Sequence, residues 1–123
     1  MSEKNHQLVI VSTRGLDDER GTVAWTIANS GLKSGVDVTM FLTSTAVDLV
    51  RKNGVQDVRV NPYDPPLNAL ITQFVEAGGK IWVCPPCAKV RGYEDGDLIE
   101  AAEIKGSMAL HELIKDGAAT LSF

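Results

Sequence analysis

Hydrophobic runs and amphipathic stretches alternate along the chain. The first run, at residues 7–13, is apolar without polar alternation, which is typical of a central strand that is buried on both faces. Further strand signals lie at residues 36–42, 81–83 and 118–123, and a short, weak one lies at residues 58–60. The hydrophobic pattern therefore predicts five strands.

Four stretches with apolar side chains at helical spacing connect these strands. They lie at residues 18–34, 46–52, 67–75 and 107–116, and each is followed closely by the glycine or asparagine that often ends a helix. The positions expected to face the core are Val23, Ala24, Ile27, Ala28 and Leu32 in the first helix, Leu67, Leu70, Ile71, Phe74 and Val75 in the third, and Met108, Leu110, Leu113 and Ile114 in the last.

Several residues within or just before the predicted helices carry separate expectations. Trp25 lies off the apolar stripe of the first helix, so we expect it to be partly exposed or to lie in a subunit contact, where aromatic residues are enriched. Asp17 or Asp18 suits the N-cap of that helix, and the alternative is a metal-binding acidic pair of the kind found in receiver domains. Asp64 is the expected N-cap of the third helix.

The alternation of strands and helices predicts a single α/β domain over residues 1–123. A mainly parallel five-stranded sheet with helices on both faces, a three-layer α/β/α arrangement, is the architecture that such an order builds. Open sheets of this kind carry their sites at the carboxyl ends of the strands. Here Arg14 follows the first predicted strand, residues 43–45 follow the second, and Cys84 follows the fourth.

Composition limits the classes of function. The 123 residues are 44% apolar and 23% charged, which is the profile of a globular protein. A net charge of −4 and a pI near 5.1 argue against nonspecific nucleic-acid binding, which needs a basic surface. No stretch approaches the roughly 20 apolar residues of a membrane span, and the first residues lack the apolar segment of a signal peptide. We therefore expect a cytoplasmic protein without nucleic-acid or membrane partners.

Both cysteines of the chain lie in one short Cys-Pro-Pro-Cys motif. Proline lacks the N–H that a strand ladder needs but suits the first turn of a helix. Cys84 is therefore expected at the tip of a buried strand and at the start of a helix, where backbone N–H groups and the helix dipole stabilise a thiolate. Since Lys89 and Arg91 follow closely, we expect the pKa of Cys84 to lie below its ordinary value of roughly 8.5.

A Cys-x-x-Cys pair is compatible with a reactive dithiol, with half of a zinc site, or with two small buried apolar side chains. A structural zinc site needs about four ligands. The chain has no second cysteine pair, and His6 and His111 are far away in sequence, so only a site shared between subunits could hold zinc. A thioredoxin-like dithiol would follow an early strand, and no nucleotide-binding glycine motif is present. We expect neither a resident metal nor a cofactor.

The run Cys-Pro-Pro-Cys-Ala-Lys-Val-Arg-Gly at residues 84–92 carries a family resemblance. Together with the opening strand, the acidic start of the first helix and the Ser-Phe ending, it resembles the DsrE/DsrF-like family of small sulfur-relay proteins over essentially the whole length. In that family the working cysteine ends the fourth strand, a short fixed distance before an Arg-Gly pair. Cys84 occupies that position, and Cys87 matches a second cysteine that only some members have.

The resemblance implies a flavodoxin-like fold, assembly into homo-oligomers such as trimers or hexamers, and donor and acceptor proteins for sulfur. It makes Cys84 the candidate carrier of a persulfide in a sulfurtransferase-like function, with Cys87 as a resolving or structural thiol. Arg14, Lys89 and Arg91 are the cations expected to hold the anionic sulfur. The alternatives are a non-catalytic subunit that binds a small ligand or a protein, and a thiol-disulfide redox protein.

Overall fold

A computed structural model describes residues 6–56 and 58–123. Two 3-10 helices lie at Ser44–Val50 and Asp95–Asp97. None of the helices in these two ranges is long and apolar enough to cross a bilayer. The other elements are, in chain order, β1 (Gln7–Ser12), α1 (Arg20–Lys33), β2 (Asp37–Leu42), α2 (Leu67–Glu76), β3 (Lys80–Val83), α3 (Pro85–Val90), β4 (Ala102–Ile104), α4 (Ser107–Lys115) and β5 (Ala119–Ser122).

The five strands form one sheet in the order β4-β3-β2-β1-β5, and all neighbouring strands are parallel. The predicted α/β fold with a parallel five-stranded sheet is therefore confirmed, although one strand was predicted in the wrong place. Residues 58–60 form no strand, because this segment leads into α2 and the Val58 carbonyl accepts the N–H of Leu67 at 2.8 Å. The fifth strand is instead β4, so β3 before Cys84 is the third strand of the chain and not the fourth.

The core consists of two clusters, one on each face of the sheet. Because consecutive strand residues point to opposite faces, each central strand contributes to both clusters. The larger cluster packs against α1 and α2, and the smaller one packs against Leu110 of α4. Buried residues of β1, β2 and β3 are Ile10, Met40 and Ile81 in the larger cluster, and Val9, Phe41 and Trp82 in the smaller one.

Trp25 is fully buried, so the expectation that it is partly exposed is wrong. Its ring lies edge-on to that of Phe74 in α2, with the centroids 5.3 Å apart and an interplanar angle of 86°. α1 is covered by the sheet on one side and by α2 on another, so its buried face is shifted around the helix from the predicted stripe towards Trp25 and Asn29. Val23, expected to face the core, is 39% exposed as a result.

The apolar face of α4 is narrower than the sequence pattern predicts. Leu110 is buried and Leu113 packs at the margin of the smaller cluster, but Met108 is 83% exposed and Ile114 is 39% exposed. The reason is that, within residues 6–56 and 58–123, no helix besides α4 contributes side chains to the smaller cluster, so the flanks of α4 are left open to solvent.

The starts of the helices also differ from expectation in detail. The stretch at residues 46–52 was predicted as an α-helix but is a 3-10 helix. The predicted N-cap at Asp17 or Asp18 is wrong, because the N-cap of α1 is Glu19. Asp18 lies one residue before it and accepts the N–H of Arg20 on Oδ1 at 2.9 Å, and the hydrogen bonds from Arg20 lower the pKa of Asp18 to about 2. Asp64 does not cap α2, which begins at Leu67 directly after Pro66.

Candidate functional site

The carboxyl ends of three neighbouring strands are aligned along one edge of the sheet. The N–H groups of Thr43, Cys84 and Lys105 each donate to the carbonyl of the last residue in the neighbouring strand, at 3.0 Å in every case. The parallel register therefore continues one residue beyond β2, β3 and β4. Because residues in register on parallel strands project to the same face, these three side chains form a row in which Cys84 is the middle member.

Cys84 is a free thiol at the junction of β3 and α3. It is the N-cap residue of α3, whose first two positions are prolines, and its carbonyl accepts the N–H of Ala88 at 3.0 Å. Its side chain is partly buried against the smaller core cluster, next to the Trp82 face of the sheet. The position of Cys84 at a strand tip and at a helix start is thus as predicted.

Cys87 lies one turn into α3, and its side chain packs against the larger cluster, on the other face of the sheet. Its Sγ accepts the N–H of Ser44 at 3.2 Å. Ser44 has a φ of 53°, a left-handed conformation that costs a non-glycine residue about 1–2 kcal/mol. The strained backbone of Ser44 therefore holds its N–H group against the Cys87 sulfur. This donor could not be identified from the sequence.

The pKa of the Cys84 thiol is raised, so the predicted lowering is wrong. Burial is the largest cause of the upward shift, and the neighbouring Cys87 side chain adds to it, while a hydrogen bond from the Cys87 backbone N–H opposes it. The apolar cluster that positions Cys84 is thus also what favours its neutral form. Cys84 is an accessible thiol, but it is not a thiolate that the site has stabilised in advance.

We expect the alkylation rate of Cys84 to rise with pH, with a midpoint above the ordinary thiol pKa of roughly 8.5. A raised pKa means that folding favours the protonated form, so this contribution to stability is full below the unfolded-state pKa and is lost as the pH rises through the folded-state pKa. Iodoacetamide labelling at a series of pH values, followed by peptide mass spectrometry, measures Cys84 separately from Cys87. A midpoint for Cys84 below the ordinary thiol value would contradict the direction of the shift.

The three cations predicted to hold anionic sulfur do not surround Cys84. Arg14 follows β1, two strands away from β3, and its Nε lies 3.9 Å from Asp18 Oδ2. Lys89 is on α3 but exposed to solvent. Arg91 donates from Nη1 to the Cys87 carbonyl at 3.1 Å. The structure therefore brings Arg91 to the motif as a backbone contact, and Arg14 and Lys89 lie at its periphery.

A polar network holds the end of α3 against the 3-10 helix that begins at Ser44. Asp48 of this helix accepts the Tyr93 hydroxyl at 2.6 Å, and Arg91 Nε lies 3.4 Å from the same carboxylate oxygen. The hydrogen bond to Asp48 is the main reason that the pKa of Tyr93 is raised. Because Arg91 also contacts the Cys87 carbonyl, the network fixes the second cysteine relative to the first turn of the 3-10 helix.

Lys105 is the cation that the sequence reasoning missed. It follows β4, in register with Cys84, and its Nζ lies 4.8 Å from the centroid of the Trp82 ring and 3.6 Å from Glu103 Oε2. The missing signal was β4 itself: without a strand at residues 102–104, nothing in the sequence placed Lys105 beside the cysteine motif.

A separate apolar cleft of about 350 Å³ lies between the 3-10 helix at Ser44–Val50, the turn that follows it, and α2. Apolar side chains form its floor, and Arg51 and Glu76 lie among its polar lining residues. None of the residues that line it belongs to the cysteine motif. The apolar lining residues are Leu49, Val55, Ile71, Val75, Ile99 and Ala101.

Comparison with known proteins gives consistent matches. The model of the DsrE/DsrF-like family matches residues 6–123. An uncharacterised protein of Methanocaldococcus jannaschii is 32% identical over 107 residues, which is 86% of each chain, and one of Methanopyrus kandleri is 30% identical over 106 residues, covering 86% of this chain and 81% of the other. The crystal structure of the YchN protein from Escherichia coli superposes with a TM-score of 0.76, at 17% identity and over 98% of this chain and 100% of that one. A protein of unknown function from Methanobacterium thermoautotrophicum has a TM-score of 0.70, at 15% identity and over 97% of this chain and 100% of that one. The YchN and Methanobacterium structures share the fold of this chain.

Proposed function

We propose that this chain, which belongs to the DsrE/DsrF-like family, carries sulfane sulfur as a persulfide on Cys84. The observation that carries the proposal is the position of Cys84, a free and partly exposed thiol at the tip of β3 and the N-cap of α3. A sulfur carrier needs one reactive sulfur atom that a second protein can reach. A protein that carries sulfur in this way is sulfurtransferase-like in its chemistry.

Loading would proceed by thiol exchange on the outer sulfur of a donor persulfide. The Cys84 thiolate attacks the terminal sulfur, a new S–S bond forms at Cys84, and the donor's S–S bond breaks with release of the donor thiolate. No external oxidant or reductant is required, because the transferred sulfur keeps its oxidation state. Unloading is the same step in reverse with an acceptor thiol, so sulfur donor and acceptor proteins are the proposed partners.

Cys87 is suited to be the resolving thiol. Its attack on Cys84 Sγ would form the Cys84–Cys87 disulfide and release the outer sulfur as hydrosulfide. The Ser44 N–H at 3.2 Å from Cys87 Sγ supports this role, since a hydrogen-bond donor stabilises the attacking thiolate. The disulfide formed would then need reduction by a thiol before the next cycle.

We further propose a homo-oligomer, such as a trimer or hexamer, that works in the cytoplasm. The edge strand β5 supports self-association, because all four of its residues are exposed and Leu121 is 41% exposed. Exposed edges and apolar side chains of this kind are commonly covered by another chain. Sedimentation velocity of the purified protein measures the number of subunits.

A second candidate function rests on the apolar cleft beside α2. Its volume of about 350 Å³ and apolar floor suit a small apolar ligand, in which case the chain would be a binding subunit and its cysteines incidental. The two candidates differ in thiol chemistry, because a binding subunit has no need for a thiol that accepts sulfur.

We expect the reduced protein to gain one sulfur atom when it is incubated with a cysteine desulfurase and cysteine. The desulfurase presents a protein persulfide, which is the donor chemistry that Cys84 would attack. Intact-mass spectrometry before and after treatment with dithiothreitol measures the gain and its reversal. An unchanged mass, with slow alkylation of both thiols at neutral pH, would exclude the carrier and favour the binding subunit.

A further inference from the structure

The row of side chains at the carboxyl edge contains one cation, Lys105, beside the candidate carrier thiol. Lys105 lies beside Cys84 because its N–H donates to the Val83 carbonyl at 3.0 Å, one residue before Cys84. Neighbouring strands are about 4.8 Å apart, so the backbones of Lys105 and Cys84 are adjacent and their side chains project to the same face. A lysine side chain extends further than this spacing.

The resting contacts of Lys105 are few and weak. Its Nζ lies over the Trp82 ring at 4.8 Å from the centroid and is 3.6 Å from Glu103 Oε2. The lysine side chain is 41% exposed and that of Glu103 is 62% exposed, so solvent screens this ion pair. Trp82 and Cys84 belong to the same small cluster, so the ring that holds the ammonium and the sulfur lie on the same face of the sheet.

We propose that Lys105 is the counter-ion of the persulfide on Cys84, resting on the Trp82 ring when Cys84 is a thiol and binding the outer sulfur when the persulfide forms. The inference rests on the proposed carrier function. A persulfide extends Cys84 by one sulfur and places a negative charge beyond the apolar cluster, where the neutral thiol had none. The residue that touches this reacting atom is then Lys105, in place of Arg14, Lys89 or Arg91.

The surroundings leave Lys105 as the cation placed for this contact. Arg91 is bound to Asp48 and to the Cys87 carbonyl, and Arg14 is two strands away. Among the described residues, Glu103 of β4 lies 3.6 Å from Lys105 Nζ, and the Cys87 thiol of α3 interacts with that of Cys84. From α4 the side chains that pack on the cluster are Ala109, Leu110 and Leu113, which carry no charge.

The test is the equilibrium of sulfur exchange between the protein and glutathione persulfide at pH 7, with all compared chains, the reference included, carrying Cys87→Ser so that the resolving step cannot consume the persulfide. In this exchange Cys84–SH and GSS⁻ give Cys84–SS⁻ and GSH, so the charge moves from the small molecule to the protein. We expect Lys105→Met to lower the exchange constant about tenfold, as loss of one close opposite charge shifts a pKa by about one unit. Lys105→Arg should restore it to within about threefold, because the charge remains.

Lys115→Met is the matched control. Lys115 is also a lysine with its Nζ 3.6 Å from a glutamate oxygen, here of Glu112, but it lies at the far end of α4. We expect this variant to exchange sulfur as the reference does. Raising the salt concentration from about 50 mM to 500 mM should narrow the difference between the reference and Lys105→Met, since the Debye length falls from more than 10 Å to a few ångströms.

A second variant separates charge from folding. Glu103→Gln frees Lys105 from its carboxylate, and we expect the exchange constant to rise severalfold, a gain that a loss of structure does not produce. In the Glu103→Gln, Lys105→Met double variant this gain should disappear. Equal exchange constants for Lys105→Met, Lys115→Met and the reference overturn the role of Lys105. A reference that takes no sulfur from glutathione persulfide or from the desulfurase overturns the carrier itself.

Discussion

Cys84→Ser is expected to abolish sulfur loading, whereas Cys87→Ser should still gain one sulfur atom. Cys84 lies at the strand tip with its side chain in the partly exposed row with Thr43 and Lys105, whereas Cys87 packs against the larger cluster and its Sγ accepts the Ser44 N–H. A donor protein therefore meets Cys84 first. Cysteine desulfurase treatment of both variants, followed by intact-mass spectrometry, measures loading to the level of a single sulfur.

The two variants are well matched for stability. Serine differs from cysteine by one atom, both cysteines are only partly buried, and a serine hydroxyl at position 87 can still accept the Ser44 N–H. We also expect Cys87→Ser to release its sulfur more slowly in the absence of an acceptor, because the resolving step is lost. Loss of loading in Cys87→Ser but not in Cys84→Ser would reverse the assignment. If neither single variant loads and the wild type loses two hydrogen masses on mild oxidation, the pair is a redox dithiol.

The fold was predictable because its signals are local. An apolar run, a helical stripe or a glycine stop depends only on residues near it in sequence, and the strand at residues 7–13 or the stripe of α2 needed nothing else. β4 carries no such signal: it has three residues, and one of them is the exposed Glu103. Its pairing with β3 comes from the sheet that the rest of the chain has already built.

The site was predictable to the same extent and for the same reason. Cys84 follows an apolar strand and precedes two prolines, so its position at a strand tip and helix start could be derived from adjacent residues. Lys105 and Ser44 could not, since one depends on the register of an unpredicted strand and the other on a positive φ at a serine. Lys89 and Arg91 follow Cys84 closely in sequence, but Lys89 is exposed to solvent and Arg91 binds Asp48 and the Cys87 carbonyl.

The raised pKa of Cys84 and the position of Lys105 have one explanation in the proposed carrier mechanism. A thiol kept neutral by burial is protected from unspecific oxidation, because the thiolate is the reactive form. A neutral thiol also attacks the donor more slowly than a thiolate does. A counter-ion for the persulfide makes the loaded state more stable, so loading is still favoured at equilibrium. Control of loading would then lie in the persulfide state rather than in a permanently activated thiol.

Trp25→Ala is expected to cost about 3–5 kcal/mol of the free energy of unfolding, the largest stability effect among core substitutions considered. Trp25 is fully buried between the sheet and α2, where its ring lies 5.3 Å from that of Phe74. Phe74 in turn lies against Gly79, where an added Cβ would be 2.3 Å from the ring, and Gly79 directly precedes β3. Urea denaturation followed by circular dichroism measures the loss.

Two further variants test whether the aromatic contact or the helix itself is responsible. Val23→Ala alters a residue on the same helix that is 39% exposed, and we expect it to cost less than about 1 kcal/mol. Trp25→Phe should cost less than Trp25→Ala because an aromatic ring remains and the Trp25 Nε1 has no hydrogen-bond partner to lose. Phe74 packs against Gly79, which directly precedes β3. Trp25→Ala should therefore also slow sulfur loading at Cys84 under native conditions. A loss of stability no larger than that of Val23→Ala would mean that α1 is anchored elsewhere and that the start of β3 does not depend on this stack.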